Sequence, residues 1–440
     1  MPTAIEIFKH LPKKNCGKCN FPTCLAFAMQ LANSKAKLAD CPYVTEEAKA
    51  KLEASSAPPI RLVSIGAGES KFEIGDETEL YRHDKKFFHQ TRYAIVISDT
   101  ASDKEAGAKL KRAADLRFER VGQNLAMDML GVRNDSGDPA KFASMVARVA
   151  KESALPLVLM SADAEAIKAA ASAARPSRPL IYAADANNWQ AMAAVAKELK
   201  FPLAVKHDEL NGLAGLVEKV RAAGVEDLVL DLCPRDLQQL VERNTIVRKN
   251  AVKKTFRGLG FPIVTNACGS KQAVLMALTS TMKYGGIVLL DDLDPAHAIP
   301  LFVLRQNIYT DPQVPIQVKA GLYSINNPGG DAPVLFTTNF SLTYFTVAAD
   351  IEKSRVPAWL LVVDTEGLSV MTAFSAGKLT AEGVAEALRS SGALEKSSRK
   401  EVIMPGMLSR MSGKLQELTG LKVIVGPRES SGIPKVLRSL

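Results

Sequence analysis

Four of the six cysteines, Cys16, Cys19, Cys24 and Cys41, lie at the start of the chain, and no other feature limits its possible folds as strongly. Their spacing is C-x2-C-x4-C-x16-C. The first three can wrap one face of a compact metal centre, and the fourth arrives from the far end of a short helix. Thiolates are soft ligands suited to iron–sulfur clusters or zinc. Structural zinc sites usually present two close ligand pairs separated by a longer arm. The three-plus-one arrangement here is closer to cubane ligation, and Pro42 follows the last cysteine as a proline does in bacterial ferredoxin runs. On spacing alone zinc stays open, and so do disulfides, which a cytosolic setting disfavours. Thr23 precedes CLAFAMQLANSKAKL and predicts a helix cap, which would aim a positive helix end at the centre. Four thiols leave no open metal position, so the segment reads as a small electron-carrying domain. Cys233 and Cys268 are isolated and read as small buried side chains.

At 440 residues the chain has room for two to four domains. Its 47% apolar and 23% charged composition excludes disorder, a collagen-like repeat and a disulfide-stapled mini-scaffold. Asp291, Asp292, Asp294 and Asp364 interrupt the longest apolar runs, so no membrane span is expected. The opening MPTAIEIFKHLPKKNCGKC has no apolar signal core, and the expected location is cytoplasmic. The net charge of +9 is diffuse. Its densest stretch, Arg248, Lys249, Lys253, Lys254 and Arg257, fits one face of a long helix with only Phe256 for stacking. Solvated helix faces account for it better than nucleic-acid binding.

Residues 1–57 form the expected cysteine domain, ending in the Ala/Ser/Pro-rich run Glu53 to Ile60 that reads as a linker. Residues 58–91 complete the linker and hold a hairpin, RLVSIG and KFEIG. From 92 to 325, strand-like runs alternate with Ala-rich helical stretches. The strands are Tyr93–Ser98, Leu157–Ser161, Leu180–Ala184, Pro202–His207, Asp227–Leu232, Pro262–Ala267 and Gly286–Asp292, with a weaker one between Leu116 and Asn134. Eight strands, each followed by a helix, predict a (β/α)8 TIM barrel, with an open doubly wound sheet as the rival. Lys206, His207, Asp208, Glu209, Asp231, Arg235, Asn266, Asp291, Asp292 and Asp294 cluster past the strand ends. They mark the face that carries chemistry in barrels, or simply the polar caps that strand ends need.

Residues 326–440 form a third α/β unit with strands Val334–Asn339, Trp359–Thr365, Glu401–Pro405 and Lys422–Gly426. Near-continuous apolar strands predict a small parallel sheet covered on both faces. The turns after them, Thr337-Thr338-Asn339, Thr365-Glu366-Gly367-Leu368-Ser369, Pro405-Gly406, Gly426-Pro427 and Ser430-Ser431-Gly432, are rich in Gly, Ser and Thr. Open α/β sheets bind ligands at such strand ends, although tight βα turns have the same composition. No G-x-G-x-x-G and no P-loop occurs, which argues against NAD and ATP.

C-G-K-C-N-F-P-T-C after L-P-K-K-N, the fourth cysteine in C-P-Y, the barrel, and D-T-E-G-L-S-V in the last unit together closely resemble the large (gamma) subunit of the corrinoid iron–sulfur protein. That protein is the methyl carrier of the anaerobic acetyl-CoA (Wood–Ljungdahl) pathway. The resemblance covers the whole chain in domain order and is most specific in the cysteine motif. It implies a [4Fe-4S] domain, a TIM barrel acting mainly as scaffold, and a C-terminal Rossmann-like or flavodoxin-like cobamide-binding domain. By implication, Co(I) accepts a methyl group from methyltetrahydrofolate through a methyltransferase, and methyl-Co(III) delivers it to acetyl-CoA synthase. The cluster would return accidental Co(II) to service with an electron from a reductive activator or ferredoxin. A barrel-shaped small subunit would complete a heterodimer and cover the corrinoid.

Carried over by position, Cys16, Cys19, Cys24 and Cys41 match the cluster ligands. Thr338, Thr343, Gly367, Leu368, Ser369, Val370 and Gly432 fall where cobamide-contacting turns are expected, with Gly406, Gly426 and Ile433 as further positions. Asn20 stands where the family more often has Gly, and Asn is expected to tolerate the left-handed turn. No His follows His297, which agrees with a base-off cobamide lacking a protein His ligand. Two rivals stand beside this reading: a pterin-dependent barrel methyltransferase with an appended redox domain, and a zinc-stabilised scaffold.

Overall fold

A computed structural model describes residues 4–32, 36, 38–45, 48, 58–174, 177–254 and 256–440. Most of the stretch read as a linker, positions 53–57, lies outside the described residues. The strands are β1 (Val63–Ile65), β2 (Phe72–Ile74), β3 (Arg92–Ser98), β4 (Arg117–Arg120), β5 (Gln123–Ala126), β6 (Met129–Arg133), β7 (Leu157–Met160), β8 (Leu180–Ala184) and β9 (Leu203–Lys206). They continue with β10 (Leu228–Asp231), β11 (Ile263–Asn266), β12 (Gly285–Leu290), β13 (Gly321–Ile325), β14 (Val334–Thr338), β15 (Ala358–Val363), β16 (Glu401–Met404) and β17 (Lys422–Val425). By contact the chain divides into two units. One holds Met1–Leu80, Phe87–Leu116 and Met127–Tyr309; the other holds Tyr81–Lys86, Arg117–Ala126 and Thr310–Leu440.

In the first unit, β3 and β6–β12 close into a parallel barrel, which rules out the open-sheet alternative. The weaker strand expected between Leu116 and Asn134 is β6. Apolar strands and capped helices explain the local order. Ser102 and Glu105 form a reciprocal capping box for the helix Asp103–Asp115, and Asp138 with Pro139 starts the helix Pro139–Glu152. The barrel interior is filled by Ala94, Val96, Met129, Val158, Ala204, Val229, Val264, Ile287 and Leu289. The predicted hairpin, β1 against β2, adds Val63, Ile65, Phe72 and Ile74 to this same core. Each buried Val, Ile, Leu, Met or Phe among them contributes about 1.5–3 kcal/mol.

Two of the basic residues depart from the expected solvated helix face: Arg257 lies beyond the helix in the short turn Arg257–Leu259, half-buried, and donates to the Pro58 carbonyl at 2.7 Å. Arg248, on the helix Leu237–Lys253, is only 4% exposed. Its guanidinium donates to the Glu79 carbonyl (2.9 Å) and to the buried Glu77 carboxylate (3.3 Å), and lies against the rings of Phe87 and Tyr284. An arginine flanked by lysines looks solvated in sequence, but these partners arrive from some 170 positions away.

In the second unit the sheet order is β13-β15-β14-β16-β17. β14–β17 are parallel, and β13 is an antiparallel edge strand that the apolar pattern did not mark, since its residues are mostly half-exposed. The sheet is therefore mixed rather than purely parallel. The helices Ser341–Ser354 and Ile433–Arg438 supply the core of one face; Ala381–Ser390 and Ser412–Thr419 supply that of the other. Among the parallel strands the first, β14, lies between the second and third, so the winding reverses between β14 and β16. The hairpin of β4 and β5 also belongs to this unit, where a Cβ on Gly122 (φ +68°) would come within 2.6 Å of the Phe345 ring.

Candidate functional site

The N-terminal cysteines are placed by one short helix and the loop before it. The helix Cys24–Ala32 begins at the third thiol. Thr23 caps it as expected, accepting the Ala26 N–H at 3.0 Å, and Asn15 Oδ1 accepts the Cys24 N–H at 2.8 Å. The Cys24 side chain therefore sits at the positive end of a helix. The loop curls through left-handed backbone at Lys13, Asn15, Gly17 and Asn20, and Asn20 takes φ +65° as anticipated. Cys19, Cys24 and Cys41 are buried in one apolar cluster with Ile7, Leu11, Phe27 and Ala28, whereas Cys16 is exposed. All four are free thiols.

Among the described residues no three His, Cys, Asp or Glu side chains converge on a single-ion position. The fit to an iron–sulfur cluster rests on the donors themselves: four soft thiols, three of them gathered in an apolar cluster, beside a positive helix end.

The second unit carries a pocket of ≈ 140 Å³ at the carboxyl ends of β14 and β16, where the winding reverses. Ligands of doubly wound sheets bind at such a switch point. Its wall is mainly apolar, from Leu335, Val347, Val370, Ile403 and Met407 among others. Polar groups are few: Thr337, Thr343, Arg428 and Ser430. Thr337 and Thr338 are essentially unexposed, and among the described residues neither hydroxyl has a hydrogen-bond partner. Buried polar groups are normally satisfied, so an orphan hydroxyl on a pocket wall calls for a partner supplied by a ligand.

Of the residues expected here from sequence, Thr343, Val370 and Ile433 line this pocket. Thr338 ends β14 without lining the pocket, and the others stand in the surrounding turns. Gly367 (φ +76°) donates its N–H to Asn339 Oδ1 at 2.9 Å, and the Thr365 hydroxyl shares its one proton between the Leu368 carbonyl and Asn339 Oδ1, each at 3.0 Å. Ser369 precedes the helix Val370–Ser375 and pairs with Thr372. Gly432 packs on Pro427. Gly406 approaches the Gly426 carbonyl so closely that a Cβ would sit 2.3 Å from its oxygen. These two glycines serve backbone approach. Sequence reasoning missed Thr337, Met407, Arg428 and Ser430 as lining residues. It also missed Asn339 as the group that organises the turn after β15. Thr337 and Ser430 lay inside quoted turns without being singled out, and strand alternation alone does not reveal an unpartnered hydroxyl.

The polar ring of the barrel is largely paired within itself. Tyr182 donates to Asp231, and Asn266 donates to Tyr182 at 3.1 Å. Arg133 pairs with Asp291, Arg112 with Asp292, and Asp294 accepts the His297 N–H at the head of the helix Pro295–Tyr309. Burial raises the Asp231 carboxyl above its ordinary range and pushes the thiols of Cys233 and Cys268 up to about 12. Neither cysteine is a ready nucleophile at neutral pH.

Comparison with known proteins supplies what geometry cannot. The family model described as "CO dehydrogenase/acetyl-CoA synthase delta subunit" matches residues 62–437, and one described as "Putative Fe-S cluster" matches residues 11–43. The corrinoid/iron-sulfur protein large subunit of Moorella thermoacetica is 46% identical over 99% of this chain and 98% of its own length. This chain belongs to that family. The gamma 1 subunit of the acetyl-CoA decarbonylase/synthase complex of Methanosarcina thermophila is 36% identical over 98% of this chain and 97% of its own. A solved dihydropteroate synthase from Thermus thermophilus is a remote likeness, at 14% identity and a TM-score of 0.40 over 56% of this chain and 99% of its own. Family membership spans both the cysteine segment and the pocket-bearing unit. Among the described residues no helix is long and apolar enough to cross a membrane.

Proposed function

We propose that this chain is a cytoplasmic methyl-group carrier, holding a cobamide on its C-terminal unit and a [4Fe-4S] cluster on Cys16, Cys19, Cys24 and Cys41. The carrying observation is the switch-point pocket, apolar apart from a few groups, with the orphan hydroxyl of Thr337 on its wall. When bound, the cobamide supplies a cobalt nucleophile that takes a methyl group and yields it to an acceptor, and the cluster supplies single electrons. The protein's own work is to hold these groups and govern access to them. Apolar side chains exclude water from the part of the ligand they cover. Thr337, Thr338 and Thr343 offer uncharged hydrogen bonds that orient ligand amides. With no His after His297, the stretch 310–440 that carries the pocket has no imidazole to offer a metal, in keeping with a base-off cobamide. At a pocket of this size only part of a macrocycle is enclosed, which leaves room for a covering small subunit in a heterodimer. The methyl donor is methyltetrahydrofolate, acting through a methyltransferase, and the acceptor is acetyl-CoA synthase.

Metal analysis with visible and EPR spectra on anaerobically purified protein, co-expressed with its partner subunit, tests this. The expected result is about one cobalt and about four irons per chain. Iron without cobalt would remove the carrier reading and leave a redox domain on an unexplained barrel. Cys24→Ala is expected to abolish reductive reactivation while leaving methyl transfer from chemically reduced protein largely intact.

A further inference from the structure

The polar side chains of the switch-point pocket, Thr337, Thr343, Arg428 and Ser430, share one property: among the described residues none of them has a hydrogen bond or ion pair within the protein. The polar ring of the barrel, by contrast, is largely paired within itself. Arg428 is the one charged group among the lining residues, and no carboxylate lines the pocket with it; the neighbouring Glu429 is exposed and stands outside the wall. The loop that carries Arg428 has a fixed backbone. Gly426 donates its N–H to the Met404 carbonyl at 2.9 Å, the Pro427 carbonyl accepts the Gly406 N–H at 3.0 Å, and the Gly432 N–H closes onto the Glu429 carbonyl at 3.0 Å. The helix Ser341–Ser354 starts at the same pocket, since Thr343 in its first turn lines the wall. Phe340 gives this helix no side-chain cap, and among the described residues the Leu342 and Thr343 N–H groups have no acceptor. An uncapped helix start and an idle guanidinium both favour an anion, and the buried orphan hydroxyl of Thr337 marks the cavity between them as a ligand site.

Resting on the reading that this unit holds a cobamide, we propose that Arg428, with Ser430 and the start of the helix Ser341–Ser354, forms a phosphate subsite. It selects corrinoids that carry the phosphate of a nucleotide tail over those that lack it. The chemistry of the ligand decides which group belongs there. The amide arms of a corrin ring are neutral, and hydroxyls alone can satisfy them. The phosphodiester that joins the nucleotide tail is the anion that a complete cobamide brings outside the ring. A guanidinium held beside an apolar wall gains a strong charge-assisted contact from such a group and none from an amide of equal size. Discrimination then arises because a tailless corrinoid leaves Arg428 and the helix start unpaired.

The test uses the full chain, produced free of corrinoid together with its partner subunit, and equilibrium dialysis read by corrinoid absorbance. Three ligands are compared: p-cresolyl cobamide, whose phenolic lower group cannot coordinate cobalt; cobinamide phosphate, which keeps the phosphate but lacks ribose and base; and cobinamide, which lacks all three. Near 50 mM salt the wild type is expected to bind the first two at least about tenfold more tightly than cobinamide. Arg428→Gln is expected to weaken both phosphate-bearing ligands by about tenfold while leaving cobinamide within about twofold, and Arg428→Lys to recover part of the loss. Equal binding of cobinamide phosphate and cobinamide by the wild type overturns the proposal, whatever the variants do. So does an unchanged Kd for cobinamide phosphate in Arg428→Gln. Inorganic phosphate alone, measured by calorimetry, should bind no more tightly than about 1 mM; a micromolar Kd would assign the subsite to free phosphate and overturn it as well. Failure of the wild type to bind any of the three corrinoids would instead sink the cobamide reading itself.

Discussion

Asn339 accepts both the backbone N–H and the hydroxyl of Thr365 on one oxygen, each at 3.0 Å. The same Oδ1 takes the Gly367 N–H at 2.9 Å, and its Nδ2 donates to Asp364 at 2.9 Å. One amide at the end of β14 thus shapes the turn after β15. Asn339→Ala leaves buried donors unsatisfied, and its expected cost is about 1–3 kcal/mol, read by urea unfolding. A loss below about 0.5 kcal/mol would show that water replaces the amide.

Thr337→Val keeps the shape of the side chain and removes an orphan hydroxyl. The ligand-free protein should gain or hold stability, within about 1 kcal/mol, because a buried group without a partner is lost. Retention of cobamide through gel filtration should fall severalfold. Equal retention would mean that this hydroxyl does not meet the ligand.

Arg248→Leu leaves Glu77 buried without its cation, although the Phe88 and His89 N–H groups still donate to it. The expected loss is about 3–5 kcal/mol, and Glu77→Gln in the Arg248→Leu background should recover part of it. Thermal unfolding of the two variants beside the wild type decides this.

Cys233 and Cys268 titrate near 12, raised first by burial and then by Asp231 and Asp291 respectively. A pKa raised on folding contributes stability that is complete below the unfolded value near 9 and is lost as pH rises toward 12. At pH 8 the thiolate fraction is about a thousandfold lower than in the unfolded chain. Iodoacetamide followed by peptide mapping should therefore label these two cysteines slowly in native protein and rapidly in urea. Fast native labelling would place them in a more polar setting.

Local chemistry was readable from sequence alone. Thr23 capped its helix, Asn20 took the left-handed turn, RLVSIG and KFEIG paired, and eight apolar runs closed the barrel, because each depends on neighbours within a few positions or on a repeating period. The cysteine spacing likewise carried the family resemblance. What the fold alone decided was which distant residues meet. Nothing in the run around Arg248 announces that Glu77, Glu79 and Phe87 will bury it. Nothing in Asn339 foretells three donors from the D-T-E-G turn, and a threonine reads alike whether its hydroxyl is satisfied or orphaned. Burial and hydrogen-bond satisfaction are properties of the space between elements, and that space exists only once helices and sheets have packed together.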